Sequence, residues 1–529
     1  TARLERDAQG RVVAAITPLG HRTSYVYDEV SGVLVSQTDP LGATWRYEYT
    51  AGGRRTAIID PLGHRTEVSY DDAGDLSATT DPLGRTISEE RDDLGNLTSV
   101  ELPDGSRWGF GHDGLSRLTE FTDGTGGRWQ AEYDANGSLR RTLDATGVER
   151  TVESNLSGLP VSAGDVDSRS RAAYDQLGRI VTTTGDDGSS TSTRRDLCGR
   201  VVSFTDEAGA TTTMERDAAG RVIAGTHPMG GTFRYEYDAC GRHAATIDTD
   251  GSRYELTYDA DGRVCGELWP TGERAWSRFD AAGRVVERHE SGRGTTRYEY
   301  DELGRMVSSR DPFNGLRRFR YDAAGQMVEA VNAAGGATHY EYDVMGRVAA
   351  VVDPLGGRTE RAYDSLNRVL TQTDALGRTT FFGYDAAGRL TKRTDATGAC
   401  LEWTHDAAGR VRDELADGRL LTRTERDFAG RTITVSGPGG VNELSWDERG
   451  NLVRRLRDGV GLGWSYDADG RRTAFTRPDG SQTQYEYDAA GRVCAIEHTG
   501  LGRSTIDRDA VGRIVDRKST RLNSSHHFI

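Results

Sequence analysis

Aspartates recur along this sequence at a spacing that could support metal binding. Each stands three residues before a glycine, in a D-x-x-G pattern that returns throughout the chain. Carboxylate oxygens aligned on successive turns are ligands that Ca²⁺ accepts, but a dedicated calcium loop clusters them as D-x-D-x-D-G, and no copy does so. We therefore interpret the pattern as a structural turn, in which the aspartate caps backbone amides and the glycine adopts positive φ. Representative pairs are Asp301 and Gly304, Asp385 and Gly388, and Asp488 and Gly491.

Tyrosines occur in Y-x-Y pairs directly before many of these aspartates. Because side chains alternate between the two faces of a strand, both rings of a pair point to the same face. A row of such rings could stabilise a sheet through cross-strand contacts of roughly 0.2–1 kcal/mol each, or it could stack on sugar rings. Both alternatives, a structural ladder and a carbohydrate-binding ladder, stay open at this point. The candidate ladder comprises Tyr235, Tyr237, Tyr298, Tyr300, Tyr340 and Tyr342.

Other patterns of catalytic or metal-binding chemistry are not found in the sequence. The 11 histidines form neither an H-E-x-x-H motif nor an i, i+4 pair, and the five cysteines form no C-x-x-C pair. A G-x-S-x-G elbow and a Walker lysine are absent too. We therefore predict no catalytic residue, no metal and no cofactor for this segment, and hence no enzyme activity.

The D-x-x-G turn belongs to an internal repeat with a period of about 21 residues. Its glycine returns from Gly10 to Gly512, with Ser116 and Asn367 taking its place in phase. A second turn, written D-P-L-G at 39–42 and 353–356, lies half a period away. Six or seven residues between turns leave room for a short strand but not for a helix. Each of the about 25 units is therefore predicted to be strand, turn, strand, turn.

The composition favours a thin sheet over a thick core. Hydrophobic residues make up only 35% of the chain, and 66 of its 529 residues are glycine. A β-propeller typically has 4–8 blades, too few for this many units, and a leucine-rich horseshoe needs a leucine and asparagine pattern that is absent. The predicted fold is an all-β chain of about 25 tandem hairpin repeats that form one long, spiralling β-sheet.

The charge and hydropathy of the chain limit its partners. The net charge of −15 repels nucleic-acid phosphate, so we expect no nucleic-acid partner. No run approaches 18 apolar residues, so no membrane-spanning helix is predicted.

Copies such as "YEYDELGRMV" at 298–307 and "YEYDVMGRVA" at 340–349 carry a family resemblance. Residues 1–515 resemble the YD repeats of the Rhs family, whose relatives include the C components of insecticidal toxin complexes and the extracellular region of teneurins. The resemblance implies that the ribbon spirals into a hollow shell, which in bacterial members encloses a variable C-terminal toxin. The self-cleavage signature of bacterial Rhs cores has no counterpart here. The in-phase D-P-L-G aspartates Asp39, Asp60, Asp81 and Asp353 are therefore given no catalytic role.

The resemblance gives two functional hypotheses. In the first, the chain is the encapsulation shell of an Rhs-type toxin, which sequesters and helps deliver a C-terminal effector that is absent from this segment. Its partners would be that effector and secretion-system components, and the protein would be secreted or displayed at the cell surface. In the alternative, the chain is a cell-surface adhesin with YD repeats that binds carbohydrate or protein partners.

The last residues depart from the repeat. We predict one repeat domain at 1–515 and a non-repeat tail at 516–529, "DRKSTRLNSSHHFI", which resembles translated sequencing adapter and is interpreted as an artefact.

Overall fold

The computed structural model describes residues 2–165, 169–186, 188–207, 209–406, 408–427, 431–488, 491–508 and 514–520. Within these ranges the chain forms 50 β-strands and no helix. Each strand pairs antiparallel with the next one along the chain, so that all the strands belong to one sheet. The predicted all-β class and hairpin repeat are thereby confirmed.

The strands of the first half are short and evenly spaced. In chain order they are β1 Arg3–Arg6, β2 Val12–Ile16, β3 Arg22–Tyr27, β4 Leu34–Thr38, β5 Thr44–Tyr49, β6 Arg55–Ile59, β7 Arg65–Tyr70, β8 Leu76–Thr80, β9 Thr86–Arg91, β10 Leu97–Glu101, β11 Arg107–His112, β12 Leu118–Thr122, β13 Arg128–Tyr133, β14 Leu139–Leu143, β15 Glu149–Ser154, β16 Pro160–Gly164, β17 Arg169–Tyr174, β18 Ile180–Thr184, β19 Ser190–Arg195, β20 Val201–Thr205, β21 Thr211–Arg216, β22 Val222–Thr226, β23 Thr232–Tyr237, β24 His243–Ile247 and β25 Arg253–Tyr258.

The second half continues the same alternation, with some longer strands towards its end. Its strands are β26 Val264–Leu268, β27 Arg274–Phe279, β28 Val285–Glu290, β29 Gly294–Tyr300, β30 Met306–Arg310, β31 Leu316–Tyr321, β32 Met327–Val331, β33 Ala337–Tyr342, β34 Val348–Val352, β35 Arg358–Tyr363, β36 Val369–Thr373, β37 Thr379–Tyr384, β38 Leu390–Thr394, β39 Cys400–His405, β40 Val411–Ala416, β41 Arg419–Asp427, β42 Thr432–Gly437, β43 Gly440–Trp446, β44 Leu452–Arg457, β45 Val460–Tyr466, β46 Arg472–Thr476, β47 Gln482–Tyr487, β48 Val493–His498, β49 Gly502–Arg508 and β50 Ile514–Thr520.

The two sequence turns share one backbone geometry. At the D-x-x-G turn, Gly304 N donates to Asp301 O at 3.0 Å, and Asp301 N donates to Arg305 O at 3.0 Å. At the D-P-L-G turn, Gly42 N donates to Asp39 O at 3.1 Å, with the same second bond from Asp39 N. The glycines have φ of 79° and 93°, the left-handed values that a three-residue hairpin loop requires at this position. Ser116 and Asn367 hold the same conformation, with φ of 61° and 64°.

A β-bulge recurs beside the D-x-x-G turns but not beside the D-P-L-G turns. In the β29–β30 hairpin, Glu299 pairs with Ser308 and Tyr300 pairs with Met306, so that one residue of β30 is extra. Bulges bend a strand and increase its local twist. Because the bulges lie along one edge of the sheet, they bend successive hairpins in the same sense and favour a coiled sheet.

The described residues form a single layer of β-sheet, which we call the wall. Strands contact only the strands that precede and follow them, and no second layer packs on either face. The buried hydrophobic side chains are all alanines, such as Ala14, Ala57, Ala245 and Ala350. The accessible surface is 30959 Å², whereas a compact monomer of this mass would expose roughly 19,000 Å². The low apolar content therefore reflects a thin wall.

The sheet winds back on itself at a constant interval. Leu19 N donates to Asp261 Oδ1 at 3.0 Å across 242 residues, and Arg85 Nη1 donates to Gln326 Oε1 at 3.1 Å across 241 residues. One winding therefore takes about 242 residues, or about 23 strands, from the β2–β3 turn to the β25–β26 turn. The predicted spiral is confirmed.

The predicted tail boundary lies inside a strand. Strand β50 pairs with β49 from Arg508↔Ile514 to Arg503↔Thr520, and so it continues across residues 515 and 516. Residues 521–529, the rest of the predicted tail, lie outside the described residues.

Candidate functional site: the inter-repeat lock and the seam

Both carboxylate oxygens of the D-x-x-G aspartate accept hydrogen bonds from residues of the same turn. Asp301 Oδ1 accepts hydrogen bonds from Leu303 N at 3.0 Å and from Arg305 N at 2.9 Å. Its Oδ2 accepts from Arg305 Nε at 2.7 Å. These bonds occupy the carboxylate and hold the arginine side chain across the turn, as expected of a turn-capping aspartate.

The same arginine reaches the next hairpin. Arg305 Nη1 donates to Asp322 O at 3.1 Å, and its guanidinium carbon lies 4.8 Å from the centre of the Tyr321 ring. Tyr321 in turn donates from its hydroxyl back to Met306 O at 2.9 Å. One arginine and one tyrosine thus tie two consecutive D-x-x-G turns together, and we call this set of contacts the inter-repeat lock.

The lock recurs along one edge of the sheet. In nine further copies the guanidinium carbon of the turn arginine lies 4.4–5.0 Å from the ring centre of an aromatic residue in the next hairpin, and in the Arg54–Tyr70 copy it lies 5.7 Å away. Further pairs are Arg11–Tyr27, Arg117–Tyr133, Arg221–Tyr237, Arg242–Tyr258, Arg263–Phe279, Arg284–Tyr300, Arg347–Tyr363, Arg368–Tyr384 and Arg471–Tyr487. Exposed cation–π contacts contribute roughly 0.5–1 kcal/mol each, so their repetition matters more than any one of them.

The other two predicted turns have the same geometry. Asp385 Oδ1 accepts from Arg389 N at 2.9 Å and Oδ2 from Arg389 Nε at 2.7 Å, with Gly388 at φ 84°. Burial alone raises the pKa of the Asp385 carboxyl, but the hydrogen bonds from Arg389 outweigh it and leave the pKa below 3.8. Asp488 accepts from Arg492 N and Arg492 Nε at 2.9 and 3.0 Å, and Gly491 has φ 77°.

The second tyrosine of each Y-x-Y pair is occupied by a backbone hydrogen bond. Tyr237, Tyr300 and Tyr342 donate from their hydroxyls to Val222 O, Val285 O and Met327 O at 2.7, 2.8 and 2.7 Å. Burial raises the pKa of the Tyr300 and Tyr342 hydroxyls above 10.0, because it disfavours the charged form. These three hydroxyls therefore join neighbouring hairpins.

The first tyrosine of each pair is half-buried and pairs across the sheet with a small or aliphatic residue. Tyr235 lies opposite Thr246, Tyr298 opposite Ser309, and Tyr340 opposite Val351. Of these three tyrosines, only Tyr235 has ring-to-ring contacts within the described residues, to Phe233 and His243 at 5.4 Å each; Tyr237 also contacts His243, at 6.1 Å. The six predicted ladder residues thus share a face, but they do not form one continuous stack of rings.

The opposite face carries charged pairs above small residues. Arg253 binds Glu236 and Glu255 at 2.8 and 2.7 Å, above the buried Ala245 that separates the two glutamates. Arg65, Glu48 and Glu67 repeat the arrangement above Ala57. Because these side chains are about half exposed, the pairs contribute little stability and give the face a polar surface.

Successive windings meet at a seam between the two kinds of turn. The D-P-L-G edge of the first winding lies against the D-x-x-G edge of the second, as the bond from Leu19 N to Asp261 Oδ1 illustrates. A Cβ at Gly124 would lie 2.7 Å from Ser365 Oγ, so the first winding approaches the second too closely there for a side chain.

Polar pairs cross the seam at several points. His21 Nδ1 lies 3.2 Å from Asp261 Oδ2, Arg449 Nε lies 3.6 Å from Asp206 Oδ2, and Arg492 Nη1 lies 3.0 Å from Asp250 Oδ2. Burial by itself raises the pKa of the Asp261 carboxyl, but hydrogen bonds from Leu19, Thr17 and His21 keep it below 3.8. The lowered pKa favours the charged form of Asp261 where this carboxylate joins the two windings.

Within the described ranges, no three His, Cys, Asp or Glu side chains lie close enough together to hold a metal ion. No helix of the described part is long and apolar enough to span a membrane.

Sequence reasoning missed the lock and the seam. The sequence contains the arginine after the D-x-x-G glycine and an aromatic residue 16 positions further on. Nothing in the sequence alone indicates that the two side chains are in contact. The seam has no periodic sequence signal, because an interval of about 242 residues depends on how tightly the sheet coils.

A single-layer sheet of hairpins, tied by a repeated aspartate, arginine and tyrosine lock, defines the class of tandem β-hairpin repeat proteins that wind into spirals. The sequence matches the family described as Teneurin YD-shell over residues 190–359. It matches the RHS Repeat family over 31–66, 91–128, 363–399, 384–427 and 466–505. The chain belongs to the Rhs/YD-repeat family.

Solved structures with a similar fold are components of toxin complexes. The crystal structure of TcdB2-TccC3 matches 99% of this chain and 37% of its own at 14% identity, with a TM-score of 0.70. TcdB2-TccC3-Cdc42 and a Photorhabdus luminescens Tc holotoxin pore each match 98% of this chain and 32% of their own at 14% identity, with TM-scores of 0.60 and 0.52. The chain thus spans about a third of the length of these structures. A comparison with curated proteins gives no sequence match.

Proposed function

We propose that this chain is a wall segment of a shell that encloses the C-terminal effector of an Rhs-type toxin and helps to deliver it. The role is structural, and we assign no catalytic residue to the segment. The effector would be the principal partner, and the assembled protein would act after secretion or at the cell surface, together with components of a secretion system.

The observation that carries the proposal is the single-layer sheet that coils until its second winding touches its first. About 23 strands per winding, spaced ~4.8 Å apart, give a circumference of about 110 Å and a diameter of about 35 Å. After the thickness of the wall is subtracted, a lumen of roughly 25 Å remains, which is wide enough for a polypeptide chain. Contacts between successive windings, such as Leu19 with Asp261 and Arg492 with Asp250, support the proposal that the windings together enclose this space.

Likeness to the solved toxin-complex structures supports the same role. Their names place related spirals in assemblies with toxin components, and the YD-shell match covers the middle of this chain.

Limited proteolysis of the full-length gene product tests the proposal. The chain contains only two lysines and many arginines, so trypsin reports on the exposure of the repeats. We expect the repeats to survive as one large block and to protect the downstream polypeptide. Rapid digestion throughout the repeats, or equal cleavage of the downstream polypeptide with and without the shell, would contradict enclosure.

Seam variants make the test specific. Leu19→Asp with Leu41→Asp places two charges in the seam, because Leu19 N donates to Asp261 and Leu41 lines a cavity together with Asp301 of the second winding. The variant should expose the enclosed polypeptide to trypsin. Val26→Asp, on an exposed strand position away from the seam, is the matched control and should preserve protection.

Carbohydrate binding is a second candidate function, and a cavity lined by aromatic and arginine side chains favours it. A cavity of about 600 Å³ beside the seam is lined by Phe121 and Trp129, whose rings lie 5.4 Å apart, and by Arg150 and Arg389. Aromatic faces next to guanidinium groups suit an anionic sugar, which offers one apolar face and one carboxylate. This cavity is a better candidate than the tyrosine ladder, because the ladder hydroxyls of Tyr237, Tyr300 and Tyr342 are already bonded.

Tryptophan fluorescence tests the second candidate. Titration with a panel of neutral and acidic oligosaccharides should give a saturable change that Trp129→Ala abolishes and Trp464→Ala, in another part of the sheet, does not. A flat titration across the panel would remove carbohydrate binding from consideration.

A further inference from the structure

Three arginines project from the tyrosine face of strands β31 to β38, which is the face that carries both rings of each Y-x-Y pair. They are Arg317 in β31, Arg361 in β35 and Arg393 in β38, and all three are exposed. Arg317 shares this face with Tyr321 of its own strand, and Arg393 lies directly opposite Phe382 on it. We call these three side chains the arginine row.

Within the described ranges the arginine row forms no ion pair. The tyrosine face of β31 to β38 contains no aspartate or glutamate that could supply one. Each of the same three strands also carries a basic residue on the opposite face that is paired with a glutamate. These pairs are Arg320 with Glu329 at 2.8 Å, Arg358 with Glu341 at 2.6 Å, and Lys392 with Glu402 at 3.2 Å. They give a matched comparison for the arginine row, strand by strand.

Guanidinium groups next to aromatic rings are typical of a binding surface. Arginine and aromatic residues are enriched where proteins bind one another, and this face offers Phe319 beside Arg317 and Phe382 beside Arg393. A planar guanidinium forms two parallel hydrogen bonds with a carboxylate, which a glutamate or aspartate side chain supplies. The chemistry of the face therefore suits a polypeptide with acidic residues between apolar ones.

Recesses between strands lie on the tyrosine face. Arg361 lines a recess of about 250 Å³ together with Val351 and Thr359, and Phe121 and Trp129 of the same face line the cavity of about 600 Å³. In a single-layer sheet, such recesses form where the side chains of neighbouring strands lean towards one another, which is the concave side of the coil. This favours the tyrosine face as the inner face of the wall.

We propose that the arginine row binds acidic residues of the polypeptide that the shell encloses. The inference rests on the proposed function, because it requires an enclosed polypeptide. Arg317 and Arg361 lie four strands apart, and Arg361 and Arg393 lie three strands apart, which corresponds to about 19 Å and about 14 Å across the sheet. An extended chain rises about 3.3 Å per residue, so acidic residues about four to six positions apart match the row.

Fluorescence anisotropy with labelled peptides tests the proposal on this chain. The probe is an unstructured peptide of about 20 residues, which is long enough to span the row, with glutamate at about every fifth position among glycine, serine and tyrosine. Peptides with lysine or glutamine in place of glutamate are the comparison. We expect saturable binding of the glutamate peptide that declines with added salt, and weaker binding of the other two. The net charge of −15 would give the reverse order if the overall charge of the chain decided binding.

Two matched triple variants assign the binding to one face. The row variant, Arg317→Gln with Arg361→Gln and Arg393→Gln, should weaken binding of the glutamate peptide by roughly tenfold or more. The control variant, Arg320→Gln with Arg358→Gln and Lys392→Gln, changes the same strands and the same net charge on the opposite face, and should bind like the parent chain. All six side chains are exposed, so both variants should keep the fold, which circular dichroism spectra and melting temperatures verify.

Equal binding by the row variant and the control variant would overturn the proposal, and so would a glutamate peptide that binds no better than the lysine peptide. A single-stranded oligonucleotide that competes as well as the glutamate peptide would also overturn it, because the surface would then bind polyanions in general. Protection from trypsin separates this inference from the proposed function. A shell that protects the downstream polypeptide but does not bind the glutamate peptide through the row refutes the inference alone. Binding through the row without protection refutes enclosure and leaves the acid-binding surface in place.

Discussion

Leu19 and Asp261 meet through a 3.0 Å hydrogen bond from a backbone amide to a carboxylate, although 242 residues separate them in the sequence. Leu19 lies at the tip of a first-winding turn, and Asp261 lies at the tip of a second-winding turn. The contact joins the two turn types of the repeat directly. Because a turn of the D-P-L-G type in one winding meets a D-x-x-G turn in the next, the two windings are offset by a whole number of repeats plus one half.

Replacing the lock arginine should loosen two hairpins at once. Arg305→Ala removes bonds to Asp301 and Asp322 and the contact with Tyr321, and we expect local opening to become easier by roughly 1–3 kcal/mol. Arg305→Lys should recover little, because an ammonium group cannot make these contacts together. Amide hydrogen exchange across β29–β32 is the measurement. Arg378→Ala, at an exposed Asp374 pair on the other edge, should have a much smaller effect.

Substitution of a turn glycine should depend on the side chain introduced. Gly304 has φ 79°, and a Cβ there would make only ordinary contacts with Arg284, so the cost arises from the backbone. Gly304→Ala should therefore destabilise the hairpin by roughly 1–2 kcal/mol. Gly304→Asn should cost less, because Asn367 already holds this conformation at φ 64°. Melting temperatures of the two variants check the order, and equal losses would contradict it.

The two tyrosines of one pair should respond differently to loss of the hydroxyl. Tyr300→Phe removes the 2.8 Å bond to Val285 O and should lower stability by about 1 kcal/mol. The Tyr298 hydroxyl makes no hydrogen bond within the described part of the chain, so Tyr298→Phe should be close to neutral. Urea unfolding of both variants checks this. A larger loss for Tyr298→Phe would mean that the hydroxyl of the first tyrosine has a partner.

Acid should weaken the ion pairs of two aspartates, Asp113 in a D-x-x-G turn and Asp413 in strand β40. The hydrogen bond from Arg117 lowers the pKa of Asp113 from 3.8 to about 2, and that from Arg423 lowers the pKa of Asp413 to about 2. A pKa that is lower in the folded than in the unfolded chain stabilises the fold above pH 3.8, and this contribution is lost as the pH falls towards 2. Thermal unfolding between pH 6 and pH 2 should show a declining melting temperature below about pH 4.

Removing one of these carboxylates should flatten that decline. Asp413→Asn leaves Arg412 and Arg423 without their shared partner, so its melting temperature should be lower at pH 6 and should change less on acidification. A parallel shift of the whole curve, with the same slope, would show that Asp413 does not titrate as described.

Local structure was predictable because each repeat specifies itself. The Asp, Pro and Gly residues of a turn such as Asp39 to Gly42 determine its backbone, and the Y-x-Y alternation at Tyr298 and Tyr300 determines which face the rings share. Both predictions need only a few consecutive residues, and the structure confirms strands and turns where the repeat placed them. The use of Asn367 in place of a glycine was predictable for the same reason.

Relationships between hairpins were less accessible. The ion pair of Arg305 with Asp301 is local, because four residues separate the two. The contacts of Arg305 with Tyr321 and Asp322 depend instead on the bulge in each hairpin and on the twist of the sheet. The seam partners, such as His21 and Asp261, depend on the curvature accumulated over a whole winding. A small change in the twist of each strand would bring other residues into contact across the seam. The sequence of the repeats alone therefore cannot identify the seam partners.

The exclusive pairing of each strand with its sequence neighbour has a consequence for how the chain reaches this form. Every hairpin needs only residues that leave the ribosome within about 21 positions of one another, so the wall can be built during synthesis at low contact order. The first winding can be complete before its seam partner has been translated. The turn-tip leucines of the first winding, from Leu19 to Leu83, stay uncovered until about 242 further residues have been translated. During that interval they are accessible to non-native contacts and to chaperones.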